Sequence, residues 1–275
     1  MQQLLLDVSH QPFPKLVHDT VLAPIGMVSS TYEQPLPVEL RSSAATPYSA
    51  DGAPIKGGFH TYPEMAAAGL WTTPTDLARF AIEIQRSLRG DANHVLSADM
   101  TKQMLVAGKG HYGLGLEIGG SSENPFFLHG GINQGFENVL VAYQRSGDGA
   151  VVMTNAQGGQ LLANEVLRGI ASVYGWPDFH PIVRASVKVD PAILATYAGL
   201  YEVTPTFAIA ITLENGQLMG QATNQPKFPL FAESQSKFFT KAVDARLEFF
   251  ATEAGQISHL VLHLNGHDMR GERKQ

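Results

Sequence analysis

With 275 residues, 44% of them hydrophobic and 16% charged, the chain is long enough for two domains or one large one. The net charge of −6 is mild, and the one basic cluster, Arg270 to Lys274, reads as a solvated tail, which argues against a nucleic-acid surface. Cysteine is absent, which excludes disulfides, thiolate metal sites and a Cys nucleophile, and no apolar run is long enough to span a bilayer.

Taken in order, residues 1–8 have helical composition with no cap before them. Leu4-Leu5-Leu6 lacks the basic flank of a signal core and runs into Asp7. A second helical stretch covers 12–25, with Phe13, Leu16, Val17 and Val21 at helical spacing and Pro24 and Gly26 closing it. From 29 to 64 periodicity disappears. Prolines at 35, 37, 47, 54 and 63, with Asp51-Gly52 and Gly57-Gly58, mark a long ordered loop, and a loop of that size usually serves or covers a site. Tyr48 and Asp51 within it read first as turn residues.

Thr73-Pro74-Thr75-Asp76 is a helix start, with Thr as N-cap, Pro at N1 and an acid at N3. Leu77, Phe80, Ala81, Ile84 and Leu88 then share a face, and Gly90 ends the helix. Ser97 caps another helix to 106, with Met100, Met104 and Leu105 expected in the core. Residues 111–118 alternate as a strand. The run Phe126-Phe127-Leu128-His129-Gly130-Gly131 reads as a strand with a glycine-opened edge, and Glu137 to Tyr143 as its antiparallel partner. Glycines beside a His admit a ligand close to the backbone, and an imidazole exchanges protons near neutral pH. A third strand at 149–155 precedes a helix at 161–174 with Val166, Leu167 and Ile170 inward. Composition shifts at 183–190. Beyond it, alternating runs at 200–203, 207–213, 217–221, 237–240, 246–250 and 259–264, separated by turns such as Asn215-Gly216, predict a small antiparallel barrel or sandwich.

Three motif matches fail on context. Gly108-x-Gly110-x-x-Gly113 follows a helix and opens a strand, the reverse of a phosphate-binding turn. His259, His263 and His267 sit on a strand pattern, where residues four apart are about 13 Å apart and cannot share an ion. Ser234-x-x-Lys237 would need adjacent helical turns to act as nucleophile and base, yet it lies in the strand-rich part.

Ile25-Gly26-Met27, Gly69-Leu70-Trp71-Thr72-Thr73-Pro74-Thr75-Asp76-Leu77-Ala78-Arg79-Phe80, Tyr112-Gly113-Leu114-Gly115 and His129-Gly130-Gly131 with Gly135-Phe136 together resemble the serine β-lactamase-like family. That family includes class C β-lactamases, penicillin-binding proteins, D-aminopeptidases and esterases. The likeness covers residues 1 to about 180. The remainder resembles the lipocalin-like barrel appended to such hydrolases, carried by Tyr197-Ala198-Gly199-Leu200-Tyr201, Phe228-Pro229-Leu230 and Phe238-Phe239. The expected fold class is therefore α+β. A partial β-lactamase/transpeptidase-like domain, an antiparallel sheet with helices, occupies 1–182. A linker follows at 183–190, then an antiparallel β-barrel over 191–275.

The resemblance implies an acyl-serine hydrolase of esters, amides or β-lactams. His129 would be an accessory catalytic residue, orienting a nucleophile or anchoring an anionic group. Gly130, Gly131 and Ile132 would bind substrate, with the Ile132 N–H as an oxyanion donor, and Tyr48 is a further candidate contact. His in place of the family's more familiar Lys favours esterase- or peptidase-like branches, because a largely neutral imidazole holds a carboxylate less tightly than an ammonium. The family's Ser-x-x-Lys and Tyr-x-Asn motifs precede the helix at Met1 in the family order and have no usable match here. The chain thus reads as the carboxy-terminal part of a serine hydrolase, inactive alone. The alternative is a non-catalytic binding protein built on the same fold. Expected partners are a small acyl substrate, once the missing segment completes the site, and a second copy of the chain at an open sheet edge. No cofactor, metal, nucleic acid or membrane span is expected. The family is often exported or periplasmic, and the compartment stays open.

Overall fold

The computed structural model describes residues 1–91, 94–181, 183–241, 243–264 and 267–274, which divide into two compact units, Met1–Pro181 and Ile182–Gln275. The first begins with α1 (Gln2–Ser9), α2 (Phe13–Val17) and a π-helical turn at His18–Leu22, followed by the long irregular loop with one 3-10 helix at Val38–Ser43. After the short α3 (Met65–Ala68) comes α4 (Pro74–Arg89), opened by the Thr73 hydroxyl accepting the Asp76 N–H and closed by Gly90 at φ 84°. Helix α5 (Ala98–Met104) is capped by Ser97.

The sheet of this unit is antiparallel, in the order β1 (Glu117–Gly120), β2 (Pro125–Asn133), β3 (Phe136–Tyr143) and β4 (Gly149–Thr154), with α6 (Gly159–Tyr174) packed on one face. Alternation along β3 sends Leu140 and Ala142 to the side of α4 and Val139, Val141 and Tyr143 to the side of α6, so each helix buries its stripe on its own face. The two cores share the sheet as their common wall.

Three local expectations fail here. Residues 111–116 are not strand, because the Met104 carbonyl captures the Leu114 N–H at 2.8 Å and Gly115 turns the chain at φ 87°, so β1 starts only at Glu117. Met100 is 56% exposed, because its neighbour Thr101 turns inward instead and bonds Ser87 Oγ at 2.8 Å. Val166 lies about 100° round the helix from buried Leu167 and is also exposed.

In the second unit residues 183–190 lie along the barrel. Arg184 bridges Glu233 and Asp244 at 2.9 Å each, and the Val187 N–H bonds the Ala232 carbonyl. Helix α7 (Pro191–Thr196) leads into β5 (Gly199–Thr204), β6 (Phe207–Glu214), β7 (Gln217–Ala222), β8 (Phe228–Ala232), β9 (Lys237–Thr240), β10 (Ala245–Ala251), β11 (Ile257–Leu264) and β12 (His267–Lys274). They close in the order β10-β11-β12-β5-β6-β7-β8-β9. The basic end of the chain is thus no free tail: it is β12, whose Arg270 and Glu272 side chains face out while Met269 and Gly271 face the core, and Arg273 on that same side donates to the Ala198 carbonyl. Tyr201, Ile209, Leu218, Leu230, Phe238, Leu247 and Leu260 fill the interior, and Tyr197 stacks on Phe249 at 4.4 Å.

Burial holds the Tyr201 phenol up at about 12, and Tyr197 is shifted in the same direction. Below pH 10 both folded and unfolded phenols keep their protons, and the contribution to stability is complete. Between pH 10 and 12 the unfolded chain ionises first, so the barrel loses stability. Tyr201→Phe, which also removes the bond to the Tyr197 carbonyl, should cost about 1 kcal/mol at neutral pH and flatten that alkaline loss. Urea titrations from pH 8 to 12, followed by tyrosine absorbance, check this; an unaltered slope removes Tyr201 as its source.

Candidate functional site

Strands β2 and β3 meet in the two-residue turn Gln134-Gly135, with Asn133 opposite Phe136. Gly135 has φ 76°, and a Cβ there would lie 2.5 Å from Pro47 Cβ and 2.7 Å from Ile55 Cδ1. The long loop therefore presses directly on the turn. The closing pair of such a hairpin exchanges both backbone hydrogen bonds, so Asn133–Phe136, Gly131–Asn138 and His129–Leu140 are bonded pairs. Gly130 and Ile132 consequently turn their N–H and C=O groups away from β3. On that side β1 pairs from Leu128 back to Pro125, which leaves the backbone of 130 and 132 on an edge that no strand among the described residues covers.

Side-chain parity divides the predicted site residues. His129 and Gly131 lie on the α4 face of the sheet, with Phe127 and Leu140. Gly130 and Ile132 line a cleft of about 420 Å³ on the α6 face, beside Glu117, Gln160 and Phe179. His129 is exposed, and its imidazole has no hydrogen-bond partner among the described residues. Tyr48 is brought elsewhere: its backbone N–H and C=O bond Asn155 and Gln157 at 2.9 Å, just past the end of β4.

A groove of about 680 Å³ opens on the His129 face. Its floor is Asn133, Phe136, Asn138 and Met153 from the sheet, and its opposite wall includes Ser30, Phe59, Trp71 and Thr72. The Trp71 ring meets Phe59 and Phe136 edge-on at 4.8 and 6.2 Å, and Trp71 is tied to Thr31 by two backbone bonds of 2.9 Å. Beneath this wall the Asp76 carboxylate, 1% exposed, accepts the Ser29 N–H at 2.7 Å and the Ser30 hydroxyl at 2.9 Å and pairs with the Arg79 guanidinium. Ser30 and Thr72 hydroxyls lie 2.7 Å apart. Asn133 Nδ2 donates to the Ala68 carbonyl, and the Gln134 N–H donates to Tyr62 Oη.

Sequence reading did not single out Asn133, Asn138 or the aromatic pair Phe59 and Trp71 as site residues. Asp76 carried a signal only as a helix-start acid. Ser234 sits in a bend before β9, and Lys237 pairs instead with Glu248 at 3.3 Å. Among the described residues no His, Asp or Glu cluster has metal-binding geometry.

A Cβ at Gly131 would meet nothing within 4 Å, so Gly131→Ala should leave stability within about 0.5 kcal/mol of the parent. Gly135→Ala should cost more than about 1 kcal/mol, because it adds both steric conflict and a strained φ. Both tryptophans belong to the first unit, so urea unfolding followed by their fluorescence reads this comparison; equal costs would contradict the turn geometry.

Residues 1–174 match the family described as Beta-lactamase, and residues 183–273 match one described as Domain of unknown function (DUF3471). Penicillin-binding protein 4* of Bacillus subtilis (strain 168) is 25% identical over 143 residues, 50% of this chain and 32% of that protein. The octameric penicillin-binding protein homologue from Pyrococcus abyssi aligns with a TM-score of 0.55 at 16% identity, over 98% of this chain and 62% of its own. SurE with D-Leu aligns with a TM-score of 0.52 at 19% identity, over 98% of this chain and 65% of its own. At those identities the two structures speak for the fold. The chain spans about a third of the length of the curated relative and less than two thirds of each structure.

Proposed function

The chain belongs to the β-lactamase family, and we propose that it forms one wall of an acyl-serine hydrolase site acting on esters, amides or β-lactams. The observation that carries this reading is the free edge at Gly130 and Ile132, with exposed His129 beside it. In the proposed reaction a serine oxygen attacks the substrate carbonyl and the Ile132 N–H receives the developing oxyanion. His129 orients the nucleophile or the substrate from the adjacent face.

The attacking serine and its proton carriers come, in this reading, from a polypeptide segment outside these 275 residues, and the chain alone is inactive. Two observations support that. The sequence holds no Tyr-x-Asn, and its one Ser-x-x-Lys is Ser234 to Lys237, in the second unit. Among the described residues, no serine with a lysine or tyrosine bonded to it stands against His129. Self-association through the outer edge of β4, which ends the sheet order, is part of the same proposal. The octameric Pyrococcus abyssi homologue supports it by analogy.

Incubation with a fluorescent fluorophosphonate or penicillin, read by intact mass, should give no adduct on the 275-residue chain. Mixing with a polypeptide that carries Ser-x-x-Lys and Tyr-x-Asn from a family relative should restore ester hydrolysis. His129→Ala should lower the restored rate by roughly 10²-fold. An adduct on the chain alone overturns the inactivity, and an unchanged restored rate removes His129 from the site. Native mass measurement at micromolar concentration should show dimers or larger species; a strict monomer refutes the edge contact.

A further inference from the structure

We infer that the cleft on the α6 face is a binding site for an organic ammonium ion with an apolar body, and that Glu117 is its counter-ion. Charge comes first. Among the described residues that line the cleft, Glu117 alone is ionic; Tyr112, Gln160 and Asn164 are neutral, and the rest are apolar. Glu117 stands directly opposite Leu128 in the β1–β2 ladder, so the two side chains share the face that looks onto α6. Its carboxylate is half-buried and has neither a hydrogen bond nor an ion pair among the described residues. A carboxylate set against apolar walls loses hydration with no positive charge to replace it, and a bound cation restores the balance.

Size and lining set the rest of the ligand. The volume of about 420 Å³ is that of a small-molecule site. Leu128, Val139, Val141 and Leu167 form walls that an apolar body covers favourably. Phe179 lines the same cleft with φ 63°, a left-handed backbone that a bulky residue keeps only when its surroundings hold it there. Its ring is held against Phe126 at 5.2 Å and Trp176 at 6.2 Å. An aromatic ring and an unpaired carboxylate bordering one cavity both attract an ammonium. An anion is repelled by Glu117, and a neutral ligand leaves it unpaired.

Gly130 and Ile132 belong both to this cleft and to the edge proposed for acyl transfer. The ligand class therefore names a substrate preference, for esters or amides whose acyl part carries a terminal amine. That preference rests on the acyl-transfer reading; the binding does not.

The probe is hexylammonium, titrated at neutral pH into the isotope-labelled full chain and followed by its amide resonances. Saturable shifts are expected at Gly130, Ile132 and Gln160. Hexanoate and hexanol should bind at least about tenfold more weakly, and so should methylammonium, which lacks the apolar body. Glu117→Gln should weaken hexylammonium by about tenfold while the spectrum away from the cleft stays that of the parent. Glu165→Gln, at an exposed acid of α6 outside the cleft, should change nothing. Equal affinity for hexanol, undiminished binding by Glu117→Gln, or shifts scattered over the acidic surface overturns the inference. In the restored hydrolysis, N-acetyl-lysine methyl ester should react about tenfold faster than N-acetyl-norleucine methyl ester, and Glu117→Gln should erase the difference. Binding without that preference keeps the ammonium site and removes it from substrate choice; binding with no restored hydrolysis counts against the acyl-transfer reading alone.

Discussion

The two-residue turn at Gln134-Gly135 fixes the chemistry of everything around it. Because the turn admits no extra residue, the bonded and non-bonded pairs of β2 and β3 alternate from it without choice. A one-residue slip would exchange the roles of His129 and Gly130, burying the polar backbone edge against β3 and throwing the imidazole to the α6 face. Pro47 and Ile55 press on the same glycine, so the long loop holds that register from outside the sheet. What looks in sequence like an untidy, proline-rich connection is a brace.

A second anchor complements it. The Asp76 carboxylate joins the start of α4 to residues 29 and 30, and through the Ser30–Thr72 hydroxyl pair it sets one wall of the groove. Burying a carboxylate is costly unless its oxygens are satisfied, and here a backbone N–H, a hydroxyl and a guanidinium satisfy them. The barrel solves a different problem. Its interior is occupied by aromatic and branched side chains, so any recognition it performs takes place on its outer strands and loops.

The legible parts of the sequence were those with local grammar. Thr73-Pro74-Thr75-Asp76 announces its helix through capping chemistry, and the strand with His129-Gly130-Gly131 announces itself through an apolar run broken by glycines. β8 and β12 escaped because one carries Pro229 and the other is dominated by outward charges that hide its alternation. The apparent strand at 111–116 misled because Gly113 and Gly115 mimic alternation while the carbonyl of Met104 holds the backbone in a turn. The groove was illegible for a different reason. Its walls come from segments around residues 30, 60, 70, 135 and 153, and only tertiary contact brings them together.

The small rung between Tyr48 and Ala156 has a further consequence for the sheet's last strand. It is a parallel bridge laid just past Thr154, in which the Asn155 carbonyl accepts the Tyr48 N–H and the Gln157 N–H donates to the Tyr48 carbonyl, so these groups are already spent. Any chain that zips onto β4 meets a stop after at most the six residues from Gly149 to Thr154. Such a blunted end allows a brief, defined clasp while discouraging the endless ribbon growth from which fibrils arise.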